Sequence, residues 1–206
     1  MHRRSAAALE LSAAGKRVLL LESGGRASAP ETQELSRADV LDRKVHDDMT
    51  ICVSRQLGGT SNLWGARCQP LDPVDFSDRS AFAGASWPIG LEDIAPYYEK
   101  AADYAHCGKA VFRDPLDRLD QADGRVVGTR LERFSNRPAF QKSHAATLES
   151  DPNIEVRLNA TVTGITIADE GHAVSVTVCR PDGKKAEVPV ASLALASQFF
   201  VVKECF

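Results

Sequence analysis

Hydrophobic and polar positions alternate along this chain with periods that change from segment to segment. Residues 5–14 (SAAALELSAA) are strong helix formers, and Gly15 followed by Lys16 predicts a helix stop. Residues 18–21 (VLLL) are an unbroken apolar run that ends abruptly at Glu22-Ser23-Gly24-Gly25, the pattern of a strand buried on both faces of a parallel sheet. Helix and strand together read as the second half of a βαβ unit. Residues 26–48 are polar and predict a surface excursion with one short helix. A glycine-punctuated loop follows at 56–65 (QLGGTSNLWG), and loop continues through 69–80 with two prolines. Residues 93–105 predict a helix with Pro96 at its first position and Ile94, Tyr97, Tyr98, Ala101 and Ala105 on one face. A second helix is expected at 139–149. The period then becomes two: residues 154–158, 162–167, 173–178 and 187–190 read as strands of a small β-meander, with turns at 169–171 (DEG) and 181–184 (PDGK). The fold class is α/β. The tail 191–206 (ASLALASQFFVVKECF) is apolar and has no closing element, and no repeat or low-complexity tract interrupts the chain.

Composition narrows the picture. The 206 residues are 43% hydrophobic, 26% charged and 6% aromatic with a net charge of −3, which argues for a folded domain and against disorder. The 25 Lys and Arg are outnumbered by 28 Asp and Glu with no long basic run, which argues against binding nucleic acid by bulk electrostatics. Five cysteines at wide spacings, without a CxxC pair, argue against a disulfide framework or a structural zinc site and favour a reducing, cytoplasmic compartment. The longest apolar stretch, 188–202, contains Pro189, Ser192, Ser197 and Gln198 and is too short to span a membrane. The first 15 residues imitate a signal peptide, but Glu10 interrupts their apolar part, and a buried strand follows rather than a mature N-terminus.

Two stretches carry candidate chemistry. An acid at the tip of the second strand of a dinucleotide-binding fold accepts two ribose hydroxyls, and Glu22 stands at that point; a solvated Glu at a strand end satisfies the same pattern. Gly58-Gly59-Thr60-Ser61-Asn62 offers close backbone approach and two hydroxyls to an anion such as a pyrophosphate, while a plain tight turn is the commoner reason for paired glycines. Trp64 beside it suits either a planar ligand ring or the core. No catalytic constellation is visible. The five histidines are scattered, and Ser143 with His144 falls inside a predicted helix, where adjacent residues do not face each other.

Taken in order, three stretches resemble the FAD-dependent glucose–methanol–choline (GMC) oxidoreductases, in particular the bacterial sugar- and alcohol-dehydrogenase-like members. They are residues 7–25 (AALELSAAGKRVLLLESGG), 55–76 (RQLGGTSNLWGARCQPLDPVDF) and 87–101 (WPIGLEDIAPYYEKA). The resemblance implies a partial FAD-binding Rossmann-like domain over residues 1–80 and a helical segment leading into the substrate domain over 81–150. The β-meander at 151–196 would return to the FAD-binding domain, and 197–206 would be an atypical tail. It implies that Glu22 holds the adenosine ribose and that Gly58, Gly59, Thr60 and Ser61 line the pyrophosphate. Asn62, Leu63, Trp64 and Gly65 would lie near the isoalloxazine, and the backbone of Val162 would meet adenine. Leu63 occupies the position of the histidine that bonds covalently to flavin in some members, so FAD here is expected to be noncovalent. The activity implied is oxidation of CH–OH groups of alcohols or sugars by hydride transfer to flavin, with an electron-acceptor subunit as a further partner and a periplasmic parent as an alternative compartment.

Departures from the family pattern set a second expectation. The first strand and its Gly-x-Gly-x-x-Gly turn are absent before Ala7, and the family's catalytic His–His or His–Asn pair lies beyond the region matched. Residues 197–206 fit nothing in the family and look like the product of a frameshift or premature stop. Ser86 and Ala66 stand where glycine is usual. The chain is therefore expected to be a fragment, inactive alone, with no catalytic residue and no metal ligand of its own. A noncatalytic FAD-binding or assembly subunit and a nonfunctional truncation product are the alternatives. A flavin monooxygenase shares the opening pattern but not the second and third stretches.

Overall fold

The computed structural model describes residues 2–77, 87–113 and 130–196. Helices and strands are mixed along the chain: α1 (His2–Ala13), β1 (Val18–Leu21), α2 (Pro30–Glu34), α3 (Met49–Cys52), β2 (Arg67–Cys68), α4 (Leu91–Ile94), α5 (Tyr98–Tyr104), β3 (Arg133–Phe134), α6 (Phe140–Ser143), α7 (Ala145–Ser150), β4 (Ile154–Arg157), β5 (Thr161–Ile167), β6 (Ala173–Cys179) and β7 (Lys185–Pro189). Single 3-10 turns lie at Gly59–Asn62, Pro73–Phe76 and Ala95–Tyr97. The chain divides into two compact units, one formed by residues 1–63 with 139–206 and the other by residues 64–138.

The first unit is α/β. Helix α1 buries Ser5, Ala8 and Ser12, spaced three and four apart, so small side chains carry its packed face. It ends as its sequence predicts: Gly15 N–H bonds to Ser12 O and Lys16 N–H to Leu11 O, the paired bonds of a Schellman stop. Ser12 Oγ donates to Asp151 Oδ2 at 2.6 Å and ties the helix to the start of β4. Ala8, Leu20, Leu148 and Ile154 form the core between α1, α7 and the sheet, flanked by Val18 and Val156. Leu21 packs to the other side, with Ala160, Val176 and Val178 of the meander core. Strand β1 thus has apolar neighbours on both faces, as its unbroken run predicts, although only Leu20 is fully buried.

The partner of β1 differs from the expectation for residues 154–158. Strand β4 does not join the meander; it pairs in parallel with β1, from Val18 opposite Ile154 to Leu21 opposite Arg157. The chain bends just after it, where Asn159 takes a left-handed φ of 53°. The meander is therefore the three antiparallel strands β5-β6-β7, with Val176 completely buried at its centre.

Helix α6 stops at Ser143, and His144 joins it to α7 with φ −110°. The single helix expected over 139–149 is thus two. His144 is buried edge-on against Phe140, ring centroids 5.3 Å apart, at a helix junction rather than within a helix.

The second unit holds the short antiparallel ladder β2–β3 and helices α4 and α5. The helix expected over 93–105 is also broken: Pro96 opens a 3-10 turn between α4 and α5. The face changes accordingly. Ala102 is buried at 3%, whereas Tyr97 is 66% exposed and Ala101 is exposed too. Cys68 on β2 and Cys107 after α5 are both free thiols, as are Cys52 and Cys179. Ser86, Cys205 and the tail at 197–206 lie outside the described residues.

Candidate cofactor site

Glu22 directly follows β1, at the carboxyl end of the parallel pair, where ligands bind in open α/β sheets. It is 3% exposed, so its carboxylate needs hydrogen bonds to be tolerated. Oε1 accepts the Gly24 N–H at 2.9 Å, and the Ser23 hydroxyl lies at 3.4 Å. The backbone around it is held from the β4 side: Glu22 N–H bonds to Arg157 O, Ala160 N–H to Glu22 O, and Asn159 N–H to Gly24 O. Gly24 is a position of close approach. A Cβ there would lie 2.1 Å from Arg55 O, so only glycine lets the two backbones pass.

Arg55 is the hub of this corner. Its Nη1 donates to Ser23 Oγ at 3.0 Å, its Nε to Ser36 Oγ at 2.7 Å and its Nη2 to Leu35 O at 3.1 Å. Its backbone N–H bonds to Gln33 Oε1. The sequence carries Arg55 at the head of the second motif, but nothing local announces partners 19 to 32 residues away.

The glycine loop begins where this corner ends. Gln56 bridges Gly25 in parallel, and Leu57 N–H bonds to Gly25 O at 2.8 Å, so the Glu22 turn and the approach to the loop run side by side. Gly58 has φ +87° and Gly59 φ +52°. At Gly58 a side chain is excluded by conformation and by space, because a Cβ would meet Asn62 Oδ1 at 2.8 Å and Gln141 Cβ at 3.0 Å. Ser61 is buried and its hydroxyl donates to Gly58 O, bracing the turn from within. Thr60 Oγ1 accepts the Ser54 N–H at 3.2 Å, which leaves its own proton to donate. Asn62 Nδ2 donates to Leu57 O, while Leu63 is 61% exposed.

Three polar atoms on this loop and on α6, which packs against it, are shut from water without a hydrogen-bond partner: Asn62 Oδ1, Gln141 Oε1 and Ser143 Oγ. Sequence reasoning missed Gln141, whose placement beside Gly58 comes from a contact about 80 residues apart, and weighed Ser143 only as a neighbour of His144. Val162 lies on β5 opposite Val178, two residues past the Ala160 that bonds to Glu22. The first unit thus holds Glu22, residues 58–63 and Val162, with the Glu22 turn bonded to Leu57 just ahead of the loop and to Ala160 just ahead of Val162. Trp64 and Gly65 belong to the second unit, where the indole N–H donates to Pro138 O at 2.8 Å. Among the described residues no three His, Cys, Asp or Glu side chains gather as a metal ion requires, and no helix is long and apolar enough to cross a membrane.

With this geometry in view, the comparisons give one kind of answer. No family model matches the chain, and no curated protein matches its sequence. Solved structures do match it in fold, among them two oxidases. A mutant formate oxidase of Aspergillus oryzae RIB40, studied for FAD modification, aligns with TM-score 0.51 and 15% identity over 92% of this chain and 42% of its own. Pyridoxine 4-oxidase from Mesorbium loti aligns with TM-score 0.50 and 15% identity over 90% of this chain and 45% of its own. The likeness is one of fold. This chain spans less than half the length of either oxidase.

Proposed function

We propose that the chain supplies the FAD-binding part of an oxidoreductase acting on CH–OH groups of alcohols or sugars, the activity implied by its resemblance to the GMC family. The observation that carries this reading is the buried Glu22 carboxylate at the carboxyl end of β1, in a turn tied through Gly25 O to Leu57 N–H just before Gly58, where no side chain fits. Two matched structures being oxidases, one of them described with FAD modification, points the same way.

Within the first unit, Glu22 accepts the ribose hydroxyls of adenosine and the backbone of Val162 meets adenine. Gly58 and Gly59 let the main chain approach the pyrophosphate, with the Thr60 hydroxyl able to donate to it and Ser61 bracing the turn. Asn62 and Leu63 lie toward the flavin ring. The unpartnered Asn62 Oδ1, Gln141 Oε1 and Ser143 Oγ fit such a ligand, because each buried polar atom left without a bond costs about 1–3 kcal/mol. Leu63 has no nucleophile, so FAD is held noncovalently. When bound, FAD supplies the hydride acceptor. No residue of this chain is assigned as the base that takes the hydroxyl proton, and the substrate and electron acceptor are expected to meet residues outside it.

The second reading, already open at the level of the sequence, is a noncatalytic FAD-binding or assembly subunit. Both readings are tested by incubating the purified chain with FAD, desalting it and recording the visible spectrum. Retained flavin absorbance that is lost in Glu22→Ala is the expected result, and a colourless wild-type chain overturns it. Bleaching of the flavin by a sugar or primary alcohol in a chain extended at both ends selects the enzyme; retention without bleaching there, across such a panel, selects the subunit.

A further inference from the structure

We infer that Arg55 is a positioning residue for the adenosine half of the cofactor, acting through Ser23 on the Glu22 carboxylate; this rests on the FAD reading above. Three side-chain donors of Arg55 go to three different groups, Ser23 Oγ, Ser36 Oγ and Leu35 O, at 3.0, 2.7 and 3.1 Å. One guanidinium therefore spans the turn after β1 and the segment that follows α2. A planar fork of fixed donors suits this, and a lysine ammonium at the same place lacks that geometry.

Ser23 sits in the middle of the relay. Its oxygen accepts from Arg55, which leaves its proton to point at Glu22 Oε1, 3.4 Å away. A cationic donor behind the hydroxyl polarises it toward the carboxylate. The same arginine's carbonyl is the wall against which Gly24 packs, and Gly24 N–H is the other donor to Oε1. The Ser23 and Gly24 bonds to Glu22 Oε1 thus come from residues that Arg55 holds in place. Its effect is predicted to fall on the ligand half nearest Glu22 and to spare the flavin half.

The test uses the full chain and three probes: AMP for the adenosine half, FMN for the flavin half, and FAD. Binding is measured by calorimetry alongside urea unfolding. Arg55→Ala is expected to weaken AMP and FAD roughly tenfold, the size of one charge-assisted hydrogen bond, with FMN unchanged within about twofold. Arg55→Lys restores part of that loss. Ser23→Ala, which removes only the relay, gives the same split at smaller amplitude and keeps the question answerable if Arg55→Ala does not fold. A parallel loss of AMP and FMN makes Arg55 a mere structural clamp, and unchanged AMP binding makes it irrelevant; either overturns the inference. Wild-type chain that binds neither AMP nor FAD overturns the FAD reading itself, and is recognised because it needs no mutation.

Discussion

Gly24 shows how a single absent side chain shapes the candidate site. With a Cβ predicted 2.1 Å from Arg55 O, Gly24→Ala must push two backbones apart rather than move a flexible side chain. We expect a loss of about 3 kcal/mol in urea unfolding, the upper end of overpacking costs, together with loss of FAD uptake. Cys68 makes a different prediction. Burial first, and the neighbouring Cys107 thiol second, push its pKa from an ordinary 9.0 up to about 11. A raised thiol pKa means that the folded state favours the neutral form, so the stabilisation is complete below pH 9 and disappears as pH rises towards 11. Urea midpoints measured across that window should fall, and Cys68→Ser should flatten the fall. At pH 8 the exposed Cys52 should alkylate before Cys68. Of these residues, Glu22 and Gly58–Gly59 were legible in the sequence because each stands in a contiguous motif. Arg55, Ser23, Gln141 and Ser143 were not, because what distinguishes them is a partner distant in sequence or a burial that no local pattern encodes.

Elements were legible where one physical rule governed them and misread where two competed. Residues 5–21 obeyed helix propensity, a glycine stop and an apolar run, and α1 and β1 appear where those rules put them. At 93–105 the apolar period suggested one helix, but Pro96 lacks the N–H a continuous helix needs, and the chain turns through a 3-10 segment instead. At 139–149 the break falls at His144, whose ring is drawn into contact with Phe140; no propensity rule marks that point. Strand β4 alternates like a meander strand, since Ile154 is buried and Glu155 and Arg157 are exposed. Alternation says which face is buried and nothing about which strand lies alongside. The bend at Asn159 and the backbone bonds from Asn159 and Ala160 to the Glu22 turn decide that β4 belongs with β1. That choice matters for function, because the Ala160 N–H to Glu22 O bond then starts β5 beside the Glu22 turn, with Val162 and Leu21 packed against the same buried cluster.

At the scale of the whole molecule, the first unit is assembled from the two ends of the sequence around the inserted residues 64–138. Of the residues to which the family resemblance gives a cofactor role, all but Trp64 and Gly65 lie in that first unit. Its ligand atoms come from the end of β1, the glycine loop and β5, segments far apart in sequence, so a molecule bound across them is available only to the folded state. Ligand that binds the native state alone stabilises by mass action, about 2.7 kcal/mol at a hundredfold excess over Kd. For a chain of this size that raises the melting temperature by about 5–10 °C. Because two compact units can unfold in separate steps, calorimetry rather than a single optical probe is the right measurement. FAD should move the transition that contains the first unit and leave any transition of the second where it was. Under Glu22→Ala the FAD-dependent rise should shrink to within a degree or so. A melting profile indifferent to saturating FAD would mean that the α/β fold shared with the two oxidases is present without the binding that the Glu22 corner is proposed to perform.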